Sequence, residues 1–130
     1  MRDFNSHFIM DSLKDPKGVP KDINFYLTYL FAVNQQKGLE LFTEKNKRYE
    51  ASFFKQCAED GDLSSVTVRL SDKVNRFKSL VKNPDLDPLD ESIRDTLVDL
   101  ANYATMSLAY LDLVEQCNDN SRGDTANASE

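Results

Sequence analysis

The stretch from Asp90 to Leu113, DESIRDTLVDLANYATMSLAYLDL, leaves the chain little choice of fold. Ile93, Leu97, Leu100, Ala101, Ala104, Leu108 and Leu111 recur three or four residues apart. That spacing predicts one long helix with a single apolar stripe. Glu91, Asp95, Asp99, Asn102 and Met106 follow the same spacing on another face. Like charges four residues apart repel by about 0.2–0.5 kcal/mol per pair, so this acidic face calls for a cation opposite it. A divalent metal would serve, and so would a basic helix packed alongside.

A basic helix is available. The segment from Ser64 to about Lys82 places Val66, Leu70, Val74, Phe77 and Val81 toward a core, with Arg69, Asp72, Lys73 and Arg76 as its polar stripe. It follows a turn at Glu59, Asp60, Gly61 and Asp62, with Asp62 or Ser64 as its cap. Upstream, Ile23 to about Arg48 is the most apolar part of the chain, expected as a helix buried nearly all round. Gly38 inside it marks either a break or a close approach to a neighbour. Beyond Gly38, Glu40, Glu44 and Lys47 share one face.

With no alternating strand pattern, repeat or extended heptad run, the expected fold is all-α: a compact bundle of three main helices plus one or two short ones. Residues 1–20, with Phe4, Phe8, Ile9 and Leu13 before Pro16 and Pro20, form an accessory N-terminal segment. Residues 21–116 form the helical domain, and 117–130 a disordered polar tail.

A length of 130 residues suits one hydrophobic core. The net charge of −6 argues against a polymeric nucleic acid as partner. No apolar run approaches the roughly 20 residues of a membrane span, and no leader pattern opens the chain, so a cytoplasmic protein is expected. Cys57 and Cys117 read as free thiols. With one histidine, His7, and two cysteines, any metal would be held by oxygen, which points to Mg²⁺ or Mn²⁺.

No nucleophile constellation or phosphate-cradling glycine loop is visible. The remaining site is the one between the charged helices. Glu91, Asp95 and Asp99, completed by Glu40 and Glu44, would hold Mg²⁺. Arg69, Lys73 and Arg76, with Asp72 between them, would bind the phosphates of a nucleotide or deoxynucleotide. Tyr49 or Tyr103 would stack on the base, and Asn46 or Asn102 would read its edge. The same residues allow a structural reading, in which the basic stripe neutralises the acidic one with no ligand between them.

The segments GDLSSVTVRLSDKVNRFKSLVKN and DESIRDTLVDLANYATMSL resemble the nucleotide modification associated domain family, type 1, the likeness running from about Glu44 to Leu111. That family's Lys-Asn-x-Asp-Tyr-Gly-x-Ser-Phe pattern is matched by Lys45, Asn46, Tyr49, Ser52 and Phe53. Arg48 stands where the pattern has an acid, and Glu50 where it has glycine. The resemblance implies a role in nucleotide metabolism or base modification of the phage and bacterial kind. A weaker similarity, to all-α nucleoside triphosphate pyrophosphatases, implies Mg²⁺-dependent phosphoanhydride hydrolysis. Their E-x-x-E and E-x-x-D steps are replaced here by Glu40/Glu44, Glu91/Asp95 and Asp95/Asp99, four apart.

The functional expectation is therefore a nucleotide-binding protein, with Mg²⁺-dependent hydrolysis as its enzymatic form. The alternatives are a protein that sequesters a nucleotide, favoured by Arg48 and Glu50, and a helical interaction protein. Phe25, Tyr29, Phe31 and Phe42 exceed what a small monomer easily covers, so a homodimer is expected.

Overall fold

A computed structural model of the chain describes residues 11–12, 22–86 and 91–128. Every regular element among them is helical: α1 (Ile23–Arg48), α2 (Ser52–Asp60), α3 (Ser64–Lys82), one 3-10 turn (Pro84–Leu86) and α4 (Glu91–Ala128). The all-α expectation holds, with three long helices and the short α2. Of the accessory segment expected over 1–20, only Asp11 and Ser12 fall among the described residues, and both are helical. No described helix is long and apolar enough to cross a membrane. The chain divides into two compact units, Met1–Leu41 and Phe42–Glu130.

In the first unit, the Asp22 carboxylate caps α1 by accepting from the backbone N–H groups of Asn24 at 3.0 Å and Phe25 at 3.4 Å. The helix runs through Gly38, which is buried, without a break. The expectation that this helix is buried nearly all round is corrected: Phe25 is 70% and Phe31 65% exposed, and Leu27, Tyr29 and Leu30 are also exposed. Its apolar residues run consecutively around the helix and do not gather on one stripe, so no single neighbouring surface can cover them all.

In the second unit, α3 and α4 make the widest contact and α2 packs on α3. Phe53, Cys57 and Val66 form the buried centre, closed by Phe54, Leu63, Leu70, Tyr103, Met106 and Tyr110. Phe53 meets Phe54 edge to face at 5.5 Å. On α3, Val66 and Leu80 are buried, whereas Val74 and Val81 are exposed; the inward residue at the end of the helix is Leu80, one position before the expected Val81.

An amphipathic helix ordinarily buries its apolar stripe, and α4 does otherwise. Its packed face carries Thr96, Asp99, Tyr103, Met106 and Tyr110, while Leu97, Ala101, Ala104, Leu108 and Leu111 are exposed. Thr96 is 1% exposed. Its hydroxyl donates to the Ser92 carbonyl at 2.6 Å, which removes the penalty of burying an unpaired polar group. The polar stretch expected as a disordered tail from Cys117 is instead helical to Ala128. Residues 111–123 are exposed, and no proline interrupts them.

The turn between α1 and α2 is a Schellman closure. The Ala51 N–H donates to the Asn46 carbonyl at 3.0 Å and the Glu50 N–H to that of Lys47 at 3.4 Å. Its left-handed position is normally glycine. Here it is Glu50, at φ 51°, followed by Ala51 at φ 58°. The glycine of the family pattern thus coincides with the residue whose backbone most needs one. At the far end of α2 the same role falls to Gly61, at φ 73°, whose N–H donates to the Cys57 carbonyl at 2.9 Å. The cap of α3 is Leu63, not the expected Asp62 or Ser64; the Asp62 carboxylate lies one residue before it and accepts from the Ser64 N–H at 2.8 Å. Hydrogen bonds from the Ser64 side chain and backbone hold its pKa below the ordinary value.

Two outcomes follow from this frame. Glu50→Gly should raise the unfolding free energy by about 0.5–1 kcal/mol, because relief of the left-handed Cβ clash outweighs the added freedom of the unfolded chain. Glu50→Ala keeps the Cβ and should give no such gain, which urea denaturation of both variants measures. Burial, foremost, pushes the Cys57 thiol above its ordinary 9.0. The folded state then favours the neutral thiol, so this contribution is fully present below about pH 9 and is lost as the solution becomes more alkaline. Denaturation midpoints at about pH 8 and about pH 10 should fall further for the native chain than for Cys57→Ala.

Candidate functional site

The charged faces meet where α3 and α4 run side by side in the second unit. Arg69, Lys73 and Arg76 recur at steps of four and three on α3, while Asp99 and Tyr103 lie one turn apart on α4. Lys73 Nζ donates to Asp99 Oδ2 at 2.8 Å, and the Arg69 guanidinium lies 5.9 Å from the centre of the Tyr103 ring. The earlier residue of α3 meets the later one of α4, so the helices are antiparallel and these two contacts are successive rungs between them. From the last turn of α1, where a cation also favours the helix dipole, Lys45 Nζ approaches Asp99 Oδ1 to 3.7 Å.

Two cations therefore share one carboxylate, with Arg69 on the Tyr103 ring one turn along. The side chains of Lys73 and Asp99 retain 30% and 23% of their exposure, and that of Lys45 49%. The assembly is partly screened by water and not sealed in the core. Tyr103 is held from below by Phe53, whose ring stacks on it at 6.3 Å with 26° between the planes.

The remaining candidates are dispersed. Asp72, Arg76 and Asp95 are exposed, and Tyr49 is 57% exposed. Asn46 and Asn102 are half-buried. Glu44 accepts from Arg48 at 2.6 Å one turn on, and Glu40, in the first unit, accepts from Gln36 at 3.4 Å. Glu91 opens α4.

A magnesium ion needs several oxygens turned toward one point. Among the described residues no three His, Cys, Asp or Glu side chains converge in this way. Asp99, the carboxylate best placed between helices, has a lysine at each oxygen, and Glu44 has a guanidinium. Cations of the chain itself thus stand at two of the five carboxylates expected to hold Mg²⁺, Asp99 and Glu44. An open recess lined by Phe54, Ala109, Asp112, Leu113 and Gln116 lies further along α4; its one charged side chain is an acid, so it does not suit a phosphate.

The reading of residue types alone did not foresee that Phe53 takes up the Tyr103 ring, or that Lys45 and Lys73 share one carboxylate. The Ser52–Phe53 end of the quoted pattern was the available signal for the first; the second depends on helix placement.

The model of the family described as nucleotide modification associated domain 1 matches residues 45–111, just over half of the chain. No curated protein and no solved structure matches. Lys45, Phe53, Arg69, Lys73, Asp99 and Tyr103 all lie inside the matched segment.

Asp99→Asn leaves two lysines facing a neutral amide and should lower the unfolding free energy by about 1 kcal/mol, the scale of a charge-assisted hydrogen bond discounted for partial exposure. Glu44→Gln, at the fully surface pair with Arg48, should change it by less than about 0.5 kcal/mol. Urea titrations at low and high salt check both, the Asp99 effect shrinking as salt rises.

Proposed function

The chain belongs to the nucleotide modification associated domain 1 family, and on that premise we propose that it binds a nucleotide or deoxynucleotide through its phosphates. The observation that carries the reading is that two lysines, Lys45 and Lys73, share the carboxylate of Asp99 while Arg69 lies on the Tyr103 ring one turn away, within a chain whose net charge is −6. An anionic ligand gains most where positive charge is locally concentrated and partly shielded from water.

The chemistry of the donors agrees with this role. An ammonium carries three N–H groups, so Lys73 can serve Asp99 and still present donors outward. Asp99 then acts as a positioning residue, holding Lys45 and Lys73 at fixed places before a phosphate arrives. Arg69 supplies a planar fork suited to phosphate oxygens, and Arg76 extends the basic surface one turn beyond Lys73. Tyr103 is already engaged by Phe53 and Arg69, so stacking on a base falls to the exposed Tyr49, with Asn46 or Asn102 to read its edge.

We place binding, and with it sequestration, ahead of Mg²⁺-dependent hydrolysis. Two of the carboxylates that would hold the metal, Asp99 and Glu44, are engaged with cations of the chain. A second reading, a helical interaction protein with structural charge pairs, is favoured by one observation: the Lys73–Asp99 contact is closed, at 2.8 Å.

Isothermal titration of a nucleotide and deoxynucleotide panel, with and without Mg²⁺, separates these readings. Binding of at least one member is expected, weakened at least about tenfold by Lys73→Ala, a loss of about 1.4 kcal/mol. The recovered ligand should be intact under sequestration and cleaved under hydrolysis. Absence of heat with every member overturns the nucleotide reading and leaves structural pairing.

A further inference from the structure

The exposed stripe of α4 repeats at steps of four, three, four and three: Leu97, Ala101, Ala104, Leu108 and Leu111. Leu97 is 44%, Leu108 62% and Leu111 49% exposed. This is the seam spacing of two helices that pack along their length, and it lies on the side of α4 away from Asp99, Tyr103 and Met106. Among the described residues the core of the second unit therefore leaves the seam open. From Leu97 to Leu111 it extends about 21 Å at 1.5 Å per residue.

We infer that this seam pairs α4 antiparallel with α4 of a second copy of the chain. The order Leu97, Ala101, Ala104, Leu108 reads the same in both directions about the point between Asn102 and Tyr103. A two-fold axis at that point sets Leu97 against Leu108 of the partner copy and Ala101 against Ala104 of the partner copy. A two-fold interface requires such self-complementarity. The two alanines at the centre permit close approach of the backbones.

Charge chooses the direction. Exposed Arg94 lies just before the seam, and exposed Asp112 and Glu115 just after Leu111. Antiparallel pairing brings Arg94 of each copy beside Asp112 of the partner copy; parallel pairing sets like charges together at both ends. The inference does not rest on nucleotide binding, because the paired surface excludes the cluster around Asp99.

The test uses the full chain with Cys117→Ser, Cys57 being buried. Leu97→Cys and Leu108→Cys are introduced separately, and the two proteins are oxidised alone and mixed. The mixture should form a disulfide-linked pair and neither protein alone should do so, because like positions lie about 16 Å apart along the axis in the antiparallel register. Without added cysteines, sedimentation should give twice the 14.8 kDa chain mass. Leu108→Glu, with its helical signal unchanged, should raise the dissociation constant at least about tenfold. Self-linking of each protein alone would establish a parallel pair and overturn the proposal. A monomer at all concentrations, or a dimer that is not cross-linked in the mixture or that Leu108→Glu leaves intact, would also overturn it. The last result would assign pairing to another surface, such as that of Phe25 and Phe31.

Discussion

Asp99 sits where an uncompensated carboxylate would be costly, between two helices and beside an aromatic cluster. Lys73 and Lys45 make the position tolerable by reaching it from α3 and from the last turn of α1. Because Asp99 is one turn from Tyr103, and Lys73 one turn from Arg69, the ion pair and the ring contact hold α3 and α4 to the same register. A shift of either helix by one residue would break both at once. The apolar centre at Phe53, Cys57 and Val66 supplies most of the burial, and the polar rungs select one alignment among those it would accept.

That arrangement explains why the helices were easier to read from the sequence than their orientation. Period and breakers placed α3 and the start of α4 correctly, whereas the cap of α3 is Leu63 and not the expected Asp62 or Ser64. The inward face of α4 was not legible, because its leucines and alanines form the most regular stripe, yet Thr96, Tyr103 and Met106 are the residues that pack. Threonine can satisfy its hydroxyl within its own helix, and tyrosine and methionine bury large apolar surfaces despite their polar atoms. A periodic stripe signals that something covers it, without saying whether the cover is the same chain or another. In α1 the apolar residues follow one another too closely for any face to be singled out.

The candidate site was legible in its parts and not in its connections. Residue types pointed to Arg69, Lys73 and Asp99 as facing groups. Which cation reaches which oxygen depends on helix rotation and on where Lys45 ends its helix. The two departures from the family pattern gain physical meaning in the structure: Arg48 folds back on Glu44, removing a free carboxylate, and Glu50 occupies a backbone conformation that suits glycine. Neither change touches the cations about Asp99. The basic cluster thus keeps its composition while the acidic contribution of the motif is altered.

α4 is supported unevenly along its length, with packed side chains as far as Tyr110 and exposed ones over residues 111–123. A helix without tertiary neighbours rests on propagation alone, which is weak for asparagine, serine and aspartate. Amide protection should therefore grade along α4, strong near Thr96 and Tyr103 and declining beyond Leu111. On heating, helical signal from the distal turns would fray over a broad range of temperature, while the aromatic signal of the Phe53–Tyr103 stack disappears in one cooperative step.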